Sequence, residues 1–345
     1  MIRASIIGAS GYVGLELIRL LHSHPNVQIQ HLVSSSSAGE SLSSTYPQLA
    51  DVDLPTLGPL DIDHLATDSD VFFTALPHGS SQDTVAQLTS TGKVVIDMSG
   101  DYRYDDPAMY SAWYGEHNHP ELLKTSVYGL PELYEESIRS ASIIANPGCY
   151  TTCSILGLAP LLHHGLVDAH SLLIDAKSGT SGAGKKATPA MHFTEVDENF
   201  KAYAIATHRH TSEIEQELSK QAGQALVVQF TPHLLPVKRG ILATCYASLT
   251  QKTTTEELLA AYKAFYRHAP FVNIYAIGAM PALHDVVGSN RVGIGLTVDP
   301  RTHRVIVVSC LDNLIKGAAG QAIQNLNIRF GLAQTAGLDA IPWYL

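Results

Sequence analysis

The stretch "IIGASGYVGLELIRLL" (Ile6–Leu21) places three glycines between a short apolar run and a helical pattern. Glycine lets the backbone turn tightly and approach a ligand, and the following helix offers N–H groups and the positive end of its dipole. Such a triplet in the first strand–helix turn of a βαβ pattern predicts a dinucleotide-binding loop, and the alternative is a glycine-rich turn that binds nothing. The predicted cofactor contacts in this loop are Gly8, Ser10, Gly11, Tyr12, Val13 and Gly14.

Around this loop, the first 150 residues alternate short β-rich runs with helical patterns. The predicted strands are Ile2–Ile7, Val27–Val33, Val71–Leu76, Val94–Asp97 and Ser142–Ala145, and the predicted helices include Tyr12–Ser23 and Ser80–Thr91. This alternation predicts an α/β domain with a Rossmann-type, doubly wound parallel sheet.

After Cys149 the runs are longer and favour a second, α+β domain with a mostly antiparallel sheet. The predicted strands are Leu172–Ser178, Leu226–His233, Ile241–Thr250, Val292–Val298 and Val305–Leu311, and the predicted helices are Ser212–Ala222 and Thr255–His268. The segment "DPRTH" predicts a hairpin turn, and a last amphipathic helix is expected over Asn313–Phe330. We therefore expect a cofactor domain at 1–148, a catalytic and oligomerisation domain at 149–312, and a helix at 313–345 that returns to the first domain.

Composition excludes several classes of function. The chain has 345 residues, is 45% hydrophobic and carries a formal net charge of −10, without a basic stripe for nucleic acid or an anionic membrane. No apolar stretch approaches the roughly 20 residues of a membrane span. The four cysteines form no CxxC pair and the 17 histidines no HExxH, so we expect no metal and a reducing, cytoplasmic setting.

The end of the second strand suggests which cofactor binds. It continues as "HLVSSSSAG" (His31–Gly39), without the carboxylate that usually bonds the ribose hydroxyl in NAD sites. Hydroxyl donors stand there instead, and we assign Ser34 and Ser36 to the cofactor, which favours NADP over NAD. The alternative is that the serines only terminate a strand.

The segment "ANPGCYTTC" (Ala145–Cys153) places a thiol at the start of a helical pattern. With Asn146 as N-cap, Cys149 falls in the first turn, where helix N–H groups and the dipole favour a thiolate and could bond an oxyanion. This arrangement suits a nucleophile, and the alternative is an inert core thiol. The core is expected to hold Cys153, Cys245 and Cys310.

The segment "THRHTSEIEQEL" (Thr207–Leu218) supplies a candidate base. His208 and His210 precede a helix for which Ser212 and Glu215 predict a capping box. A histidine near a helix N-terminus tends to stay neutral, which is the form that accepts a proton. The alternative is two exposed loop histidines. With a dinucleotide site and a cysteine, these residues indicate aldehyde–acyl interconversion through a thioester.

The stretch "IANPGCYTTCSILGLAP" (Ile144–Pro160) closely resembles the active-site signature of the N-acetyl-γ-glutamyl-phosphate reductases, which act in arginine biosynthesis. The resemblance spans nearly the whole chain. It includes "GASGYVG", "DMSGDYRYDD", "KSGTSGAGKK", "HRHTSEIEQ", "PHLLPVKRGI" and "DNLIKGAAGQAIQN". Aspartate-semialdehyde dehydrogenases are the wider relatives that share this architecture.

The resemblance implies roles for individual residues. Cys149 matches the nucleophile and His210 the acid/base, with His208 as its neighbour. Four residues are implied to bind substrate, Glu213 beside its amide and the arginines at its phosphate and carboxylate: Arg103, Asn146, Glu213 and Arg239. Four more are implied to lie on the nicotinamide side of the cofactor: Ser178, Gly179, Gly182 and Asn313. Asn313 could equally cap its helix, and surface salt bridges are the alternative for the arginines.

The predicted reaction follows from these roles. It is the NADPH-dependent reduction of N-acetyl-L-glutamyl 5-phosphate to N-acetyl-L-glutamate 5-semialdehyde, with phosphate release through a cysteine thioester. The resemblance also implies a homo-oligomer, a dimer or tetramer. The alternatives are a reductase of aspartyl phosphate, a reductase of an aminoacyl phosphate on a carrier protein, and a non-catalytic NADP sensor that needs no activated thiol.

Overall fold

The computed structural model describes residues 1–343 and divides into two compact units. The first unit comprises Met1–Pro147 and Ala318–Asp339. The second comprises Gly148–Gly317 together with residues 340–343 at the end of the described chain.

The first unit is built on a seven-stranded sheet in which every neighbouring pair is parallel. Its strands are β1 (Ile2–Ile7), β2 (Val27–Val33), β3 (Leu57–Gly58), β4 (Val71–Thr74), β5 (Val94–Asp97), β6 (Ser126–Tyr128) and β7 (Ile143–Ala145). Its first seven helices are α1 (Tyr12–His22), α2 (Leu42–Thr45), α3 (Ile62–Ala66), α4 (Gln82–Ser90), α5 (Pro107–Tyr114), α6 (Pro120–Leu123) and α7 (Pro131–Ile138). The strand order β3-β2-β1-β4-β5-β7-β6 reverses beside β1, which confirms the doubly wound prediction.

The sequence of β4, "VFFT", is typical of a central strand in a parallel sheet. All four residues are buried, as expected for a strand that is covered on both faces. Phe72 packs in one core cluster with Ile7, Val85 and Leu88, which come from β1 and α4. This packing fixes the carboxyl ends of β1 and β4, where the glycine loop begins.

The second unit has a mixed sheet in the order β12-β13-β14-β11-β8-β10-β9. Its strands are β8 (Leu173–Gly179), β9 (Lys201–Ala202), β10 (Gln229–Leu235), β11 (Ile241–Ser248), β12 (Val272–Ile274), β13 (Val292–Asp299) and β14 (Arg304–Leu311). Its helices are α8 (Cys149–His163), α9 (Phe193–Val196), α10 (His210–Ala222) and α11 (Thr255–Phe265), and α12 (Gly320–Arg329) follows in the first unit. Four of the six strand pairs are antiparallel, so the mostly antiparallel prediction is confirmed.

The middle of this sheet is covered on one face by α8. Residues along β11 alternate between buried and half-buried, because α8 packs on every second side chain. The helices α10 and α11 pack in turn on α8. The predicted "DPRTH" turn joins β13 to β14, with Asp299 opposite Arg304.

Two predicted elements depart most from the sequence pattern at their start. The strand predicted from Leu226 begins at Gln229, because the N–H groups of Leu226 and Val228 bond to Ser219 and Glu215 of α10. The helix predicted over Asn313–Phe330 is a π-helical turn at Ile315–Ala319 followed by α12.

Candidate active site

Two glycines of the loop between β1 and α1 occupy positions where a side chain would clash with the backbone. Gly8 has a φ of +88°, and a Cβ there would lie 2.4 Å from the carbonyl oxygen of Ala75. A Cβ at Gly14 would lie 2.5 Å from the carbonyl oxygen of Gly8. These two glycines therefore allow the tight turn and the close packing of α1 on the loop.

The third glycine leaves room for a ligand. Gly11 is the N-cap of α1, and the one heavy atom near a Cβ at this position is the Gly8 carbonyl oxygen at 3.6 Å. No side chain caps this helix, and its first turn, which contains Tyr12 and Val13, holds no acidic residue. The N–H groups at this end fit the diphosphate of a dinucleotide.

A cluster of hydroxyl groups lies beside this loop. The Oγ atoms of Ser10 and Ser34 are 3.2 Å apart, and those of Ser34 and Ser36 are 3.4 Å apart. Tyr46 donates from its hydroxyl to the carbonyl of Ser10 and holds the loop in place. The three serines therefore form one polar group between the glycine loop and the end of β2.

The cysteine helix begins at Cys149, with Gly148 as its N-cap. The prediction that Asn146 caps this helix is wrong. The Asn146 side chain is buried in the first unit, where it donates to the carbonyl of Ala318 and accepts from the amide of Asn325. Asn146 therefore anchors the chain just before the helix.

Cys149 differs from the other three cysteines in its exposure. Cys149 is half-buried and lines a cavity of about 380 Å³ in the second unit. Cys153 is fully buried, donates to the carbonyl of Ser309, and has its pKa raised to about 12 by burial. Cys245 and Cys310 are also fully buried, so the core prediction for these three thiols is confirmed.

Both candidate histidines line the same cavity as Cys149. His210 is the first residue of α10, and its ring centroid lies 4.8 Å from that of His208. The backbone N–H of His210 donates to Nδ1 of His208. Burial lowers the pKa of His208 to about 4, with the charge of Arg209 acting in the same direction. His208 is therefore neutral at pH 7 with its proton on Nε2, and neither histidine is an exposed loop residue.

The predicted capping box of α10 is wrong. The helix begins two residues earlier than Ser212, whose hydroxyl donates to the carbonyl of Arg209 within the first turn. Glu215 accepts instead from the N–H of Val228. The two additional residues place His210 at the start of the helix.

Two tyrosines support the histidines. Tyr203 donates to the hydroxyl of Tyr150, which donates to the carbonyl of His233. Both rings contact His208 edge-on, at centroid distances of 5.6 Å. Burial raises the pKa of Tyr203 to about 12, so it is neutral at pH 7. Tyr150 lines the cavity, although the sequence analysis did not single it out.

The loop after β8 completes the lining. The lining residues come from the first residues of α8 and α10, from the end of β8, from the segment between β8 and α10, and from β10: Cys149, Tyr150, Ser178, Gly179, Gly182, Ala183, Thr188, Ala190, Met191, Lys201, Tyr203, His208, His210 and Leu234. The three loop residues that were assigned to the cofactor are among them.

Asn313 holds this loop rather than capping a helix. Its Oδ1 accepts from the N–H of Gly240, and its Nδ2 donates to the hydroxyl of Ser181. The capping role belongs to Asp312, whose Oδ1 accepts from the N–H groups of Leu314 and Ile315. The helix-cap alternative for Asn313 is therefore wrong.

The two arginines are not surface residues. Arg103 is buried in the first unit and donates to the carbonyls of Asn146 and Met98. Arg239 in the second unit is mostly buried, with its Nε 3.5 Å from the buried carboxylate of Asp312. The surface salt-bridge alternative is therefore wrong for both.

One further contact to Cys149 comes from a glycine that the sequence analysis did not single out. A Cβ at Gly317 would lie 2.7 Å from the Cβ of Cys149. The N–H of Gly317 donates to the carbonyl of Asp312, five residues earlier, which is the π-helical pattern. The only local signal was a glycine within a helical pattern.

Within residues 1–343, no group of three or more His, Cys, Asp or Glu side chains could hold a metal ion. No helix in the same range is long and apolar enough to cross a membrane.

Comparisons with known proteins identify the family. Residues 3–141 match the semialdehyde dehydrogenase NAD binding domain, and residues 149–313 match the semialdehyde dehydrogenase dimerisation domain. The N-acetyl-gamma-glutamyl-phosphate reductase of Caldicellulosiruptor saccharolyticus is 56% identical over 344 residues, and that of Acetivibrio thermocellus is 51% identical over 346 residues. Both alignments cover 100% of this chain and of the relative. The chain belongs to the N-acetyl-gamma-glutamyl-phosphate reductase family.

Solved structures agree on the fold. Aspartate semialdehyde dehydrogenase II of Vibrio cholerae has a TM-score of 0.74 at 18% identity, over 96% of this chain and 98% of that one. The Candida albicans enzyme, solved with NADP, has a TM-score of 0.69 at 18% identity, over 95% and 98%. The family predicted by resemblance is confirmed, and so is a nicotinamide dinucleotide as cofactor.

Proposed function

We propose that this reductase converts N-acetyl-L-glutamyl 5-phosphate and NADPH to N-acetyl-L-glutamate 5-semialdehyde, NADP and phosphate. The family supplies the reaction class, and one observation supports the chemistry. The thiol of Cys149 stands at the start of α8 and lines a cavity of about 380 Å³ with a neutral histidine. That volume lies in the usual range for small-molecule sites, about 300–1,000 Å³.

Cys149 is the proposed nucleophile. Its thiolate attacks the carbonyl carbon of the acyl phosphate, the carbon–oxygen bond to phosphate breaks, and a thioester remains on Sγ. The first N–H groups of α8 and the dipole of this helix favour negative charge at that point. Covalent capture divides one difficult reduction into two easier steps.

His210 is the proposed acid/base. It takes the thiol proton from Cys149, and it gives a proton to the substrate oxygen that becomes negative during reduction. When that oxygen returns the proton to His210 and the bond between carbon and Sγ breaks, the aldehyde leaves and the thiolate of Cys149 is restored. His208 accepts the backbone N–H of His210 through Nδ1, which fixes the start of α10. Because His208 stays neutral, it adds no positive charge that would disfavour a proton on His210.

The first unit is the proposed cofactor domain and the second unit the catalytic domain. The N–H groups around Gly11 would hold the diphosphate, and Ser10, Ser34 and Ser36 would bond the 2′-phosphate of NADP. The loop at Ser178, Gly179 and Gly182, held by Asn313, is assigned to the nicotinamide side. The bound nicotinamide supplies the hydride that reduces the thioester. The loop residues orient it and exclude water.

Arg239 is the proposed ligand for an anionic group of the substrate. Its guanidinium is held by Asp312, and arginine binds carboxylate or phosphate through two parallel hydrogen bonds. Arg103 is also proposed to bind an anionic group of the substrate. Its bond to the carbonyl of Asn146 supports an additional role in fixing the chain before Cys149.

The enzyme is further proposed to be a cytoplasmic homo-oligomer. The dimerisation-domain match supports assembly through the second unit. The sheet face opposite α8 carries half-buried apolar side chains, among them Leu242, Tyr246, Ile306 and Val308. Four free thiols support a reducing compartment.

The reverse reaction tests the function. NADP, inorganic phosphate and N-acetylglutamate semialdehyde are mixed with the enzyme, and NADPH absorbance is followed. We expect phosphate-dependent formation of NADPH with this aldehyde and little with aspartate semialdehyde. Equal or faster turnover of aspartate semialdehyde would assign the site to the shorter acid, and no signal with either aldehyde would refute the proposal.

A further inference from the structure

The carboxylate of Glu213 bonds to the start of the cysteine helix. Glu213 is fully buried, and its Oε1 accepts from the N–H of Gly148 at 3.0 Å and from the hydroxyl of Thr151 at 2.8 Å. Gly148 is the N-cap of α8, where no residue of the same helix supplies a side-chain cap. The described lining of the cavity does not include Glu213. The cap of α8 therefore comes from α10.

Glu213 and His210 stand three residues apart on α10 and so share one face of the helix. His210 contributes its imidazole to the cavity. Glu213 accepts a hydrogen bond from the N-cap residue of α8, the helix that begins with Cys149. We propose that Glu213 is a positioning residue that fixes Cys149 relative to His210, rather than a contact to the substrate amide. This inference rests on the proposed function for the roles of Cys149 and His210.

The bond has two chemical consequences. The N–H of Gly148 is already used, so it cannot also stabilise an oxyanion. A carboxylate at this end of α8 also offsets the effect of the helix dipole on Cys149 and so disfavours the thiolate. This carboxylate acts on Cys149 together with the other ionisable groups around it, which are Tyr150, Lys201, Tyr203, His208 and His210 in the cavity lining and Cys153 one turn along α8.

The variant Glu213→Gln separates position from charge, because glutamine keeps an acceptor oxygen and loses the negative charge. Alkylation of Cys149 by iodoacetamide is measured against pH, and its midpoint should fall by about 1 pH unit. In the forward assay, kcat should fall about tenfold, since a neutral acceptor bonds Gly148 less strongly. KM for the acyl phosphate should change less than about threefold.

Glu215→Gln is the matched control. Glu215 lies on the same helix and also accepts a backbone N–H, but from Val228 and away from α8. This variant should keep the wild-type kcat and alkylation midpoint. Thr151→Val removes one donor and leaves the charge in place, so kcat should fall while the alkylation midpoint does not.

A tenfold or larger rise in KM for Glu213→Gln, with kcat and the alkylation midpoint unchanged, would overturn the proposal in favour of a substrate contact. An unchanged midpoint alone would also overturn it. Circular dichroism and thermal unfolding check that each variant folds. If Glu213→Gln does not fold, the kcat and the alkylation midpoint of Thr151→Val test the proposal instead. The alkylation arm needs no substrate, so it stays decisive even if the wild type fails the reverse-reaction assay.

Discussion

Substituting Gly317 by alanine should shift the position of Cys149 while leaving its thiol group unchanged. Gly317 has a backbone conformation that alanine can adopt, so the substitution acts through space alone. The added Cβ would lie 2.7 Å from the Cβ and 3.1 Å from the Cα of Cys149. Both neighbours belong to the rigid start of α8, so no flexible side chain can move aside.

The size of the effect follows from the overlap. Carbon atoms that are not bonded prefer about 3.5–4.0 Å, so the Cβ of Cys149 must retreat by roughly 0.8–1.3 Å. A displacement of this size at a reacting group costs about 100-fold in rate, which is about 2.7 kcal/mol of transition-state stabilisation. Overpacking should also lower the free energy of unfolding by about 1–3 kcal/mol.

The assay is steady-state turnover of the acyl phosphate with NADPH, together with binding of NADPH by fluorescence. We expect kcat to fall about 100-fold while the dissociation constant of NADPH stays within about twofold. The control is Gly157→Ala, two turns along α8. The atom nearest to an added Cβ there is the Cβ of Ser309 at 3.4 Å, so the overlap is much smaller than at Gly317. The kcat of this control should be close to wild type. Full activity of Gly317→Ala would refute the inferred packing of Gly317 on Cys149.

Three further substitutions test other parts of the site. His210→Asn should lower kcat by about 100-fold or more and remove the basic group from the pH–rate profile, and an unchanged profile would move the acid/base role to His208. The pKa of His208 is lowered to about 4 in the folded state, below that of the unfolded chain, so stability is present above pH 6.5 and is lost as the pH falls toward 4. Between pH 7.5 and pH 5, chemical denaturation should show a loss about 2 kcal/mol smaller in His208→Gln than in wild type, and equal losses would contradict the lowered pKa. Ser36→Asp adds an exposed carboxylate at the proposed 2′-phosphate site and should shift the kcat/KM ratio toward NADH by about tenfold, whereas an unchanged ratio would place that phosphate elsewhere.

Local sequence patterns correctly predicted the elements whose defining residues are neighbours in the chain. The glycine loop, β1, β2 and β5 lie where they were predicted, because each is specified by β-branched and other apolar residues, or by glycines, that are close together in the chain. The start of α8 near Cys149 was predictable for the same reason, since Pro147 and Gly148 interrupt the preceding strand pattern.

The contacts that organise the site come from distant positions and could not be predicted from local patterns. The cap of α8 is supplied by Glu213, more than 60 residues away, and so the nearby Asn146 was assigned to it wrongly. The predicted capping box failed because α10 begins at His210 and buries Ser212 within its first turn. The packing of Gly317 on Cys149 depends on a π-helical turn, for which a single glycine is a weak signal.

The central claim is that a thioester forms on Cys149, and mass spectrometry of the enzyme tests it most directly. The acyl phosphate is added without NADPH, the reaction is quenched in acid, and the intact protein and its peptides are weighed. We predict a mass increase of one N-acetylglutamyl group, located on the peptide that contains Cys149, reversed by hydroxylamine and absent in Cys149→Ser. An unmodified Cys149 peptide, together with undiminished turnover by Cys149→Ser when NADPH is supplied, would contradict the account.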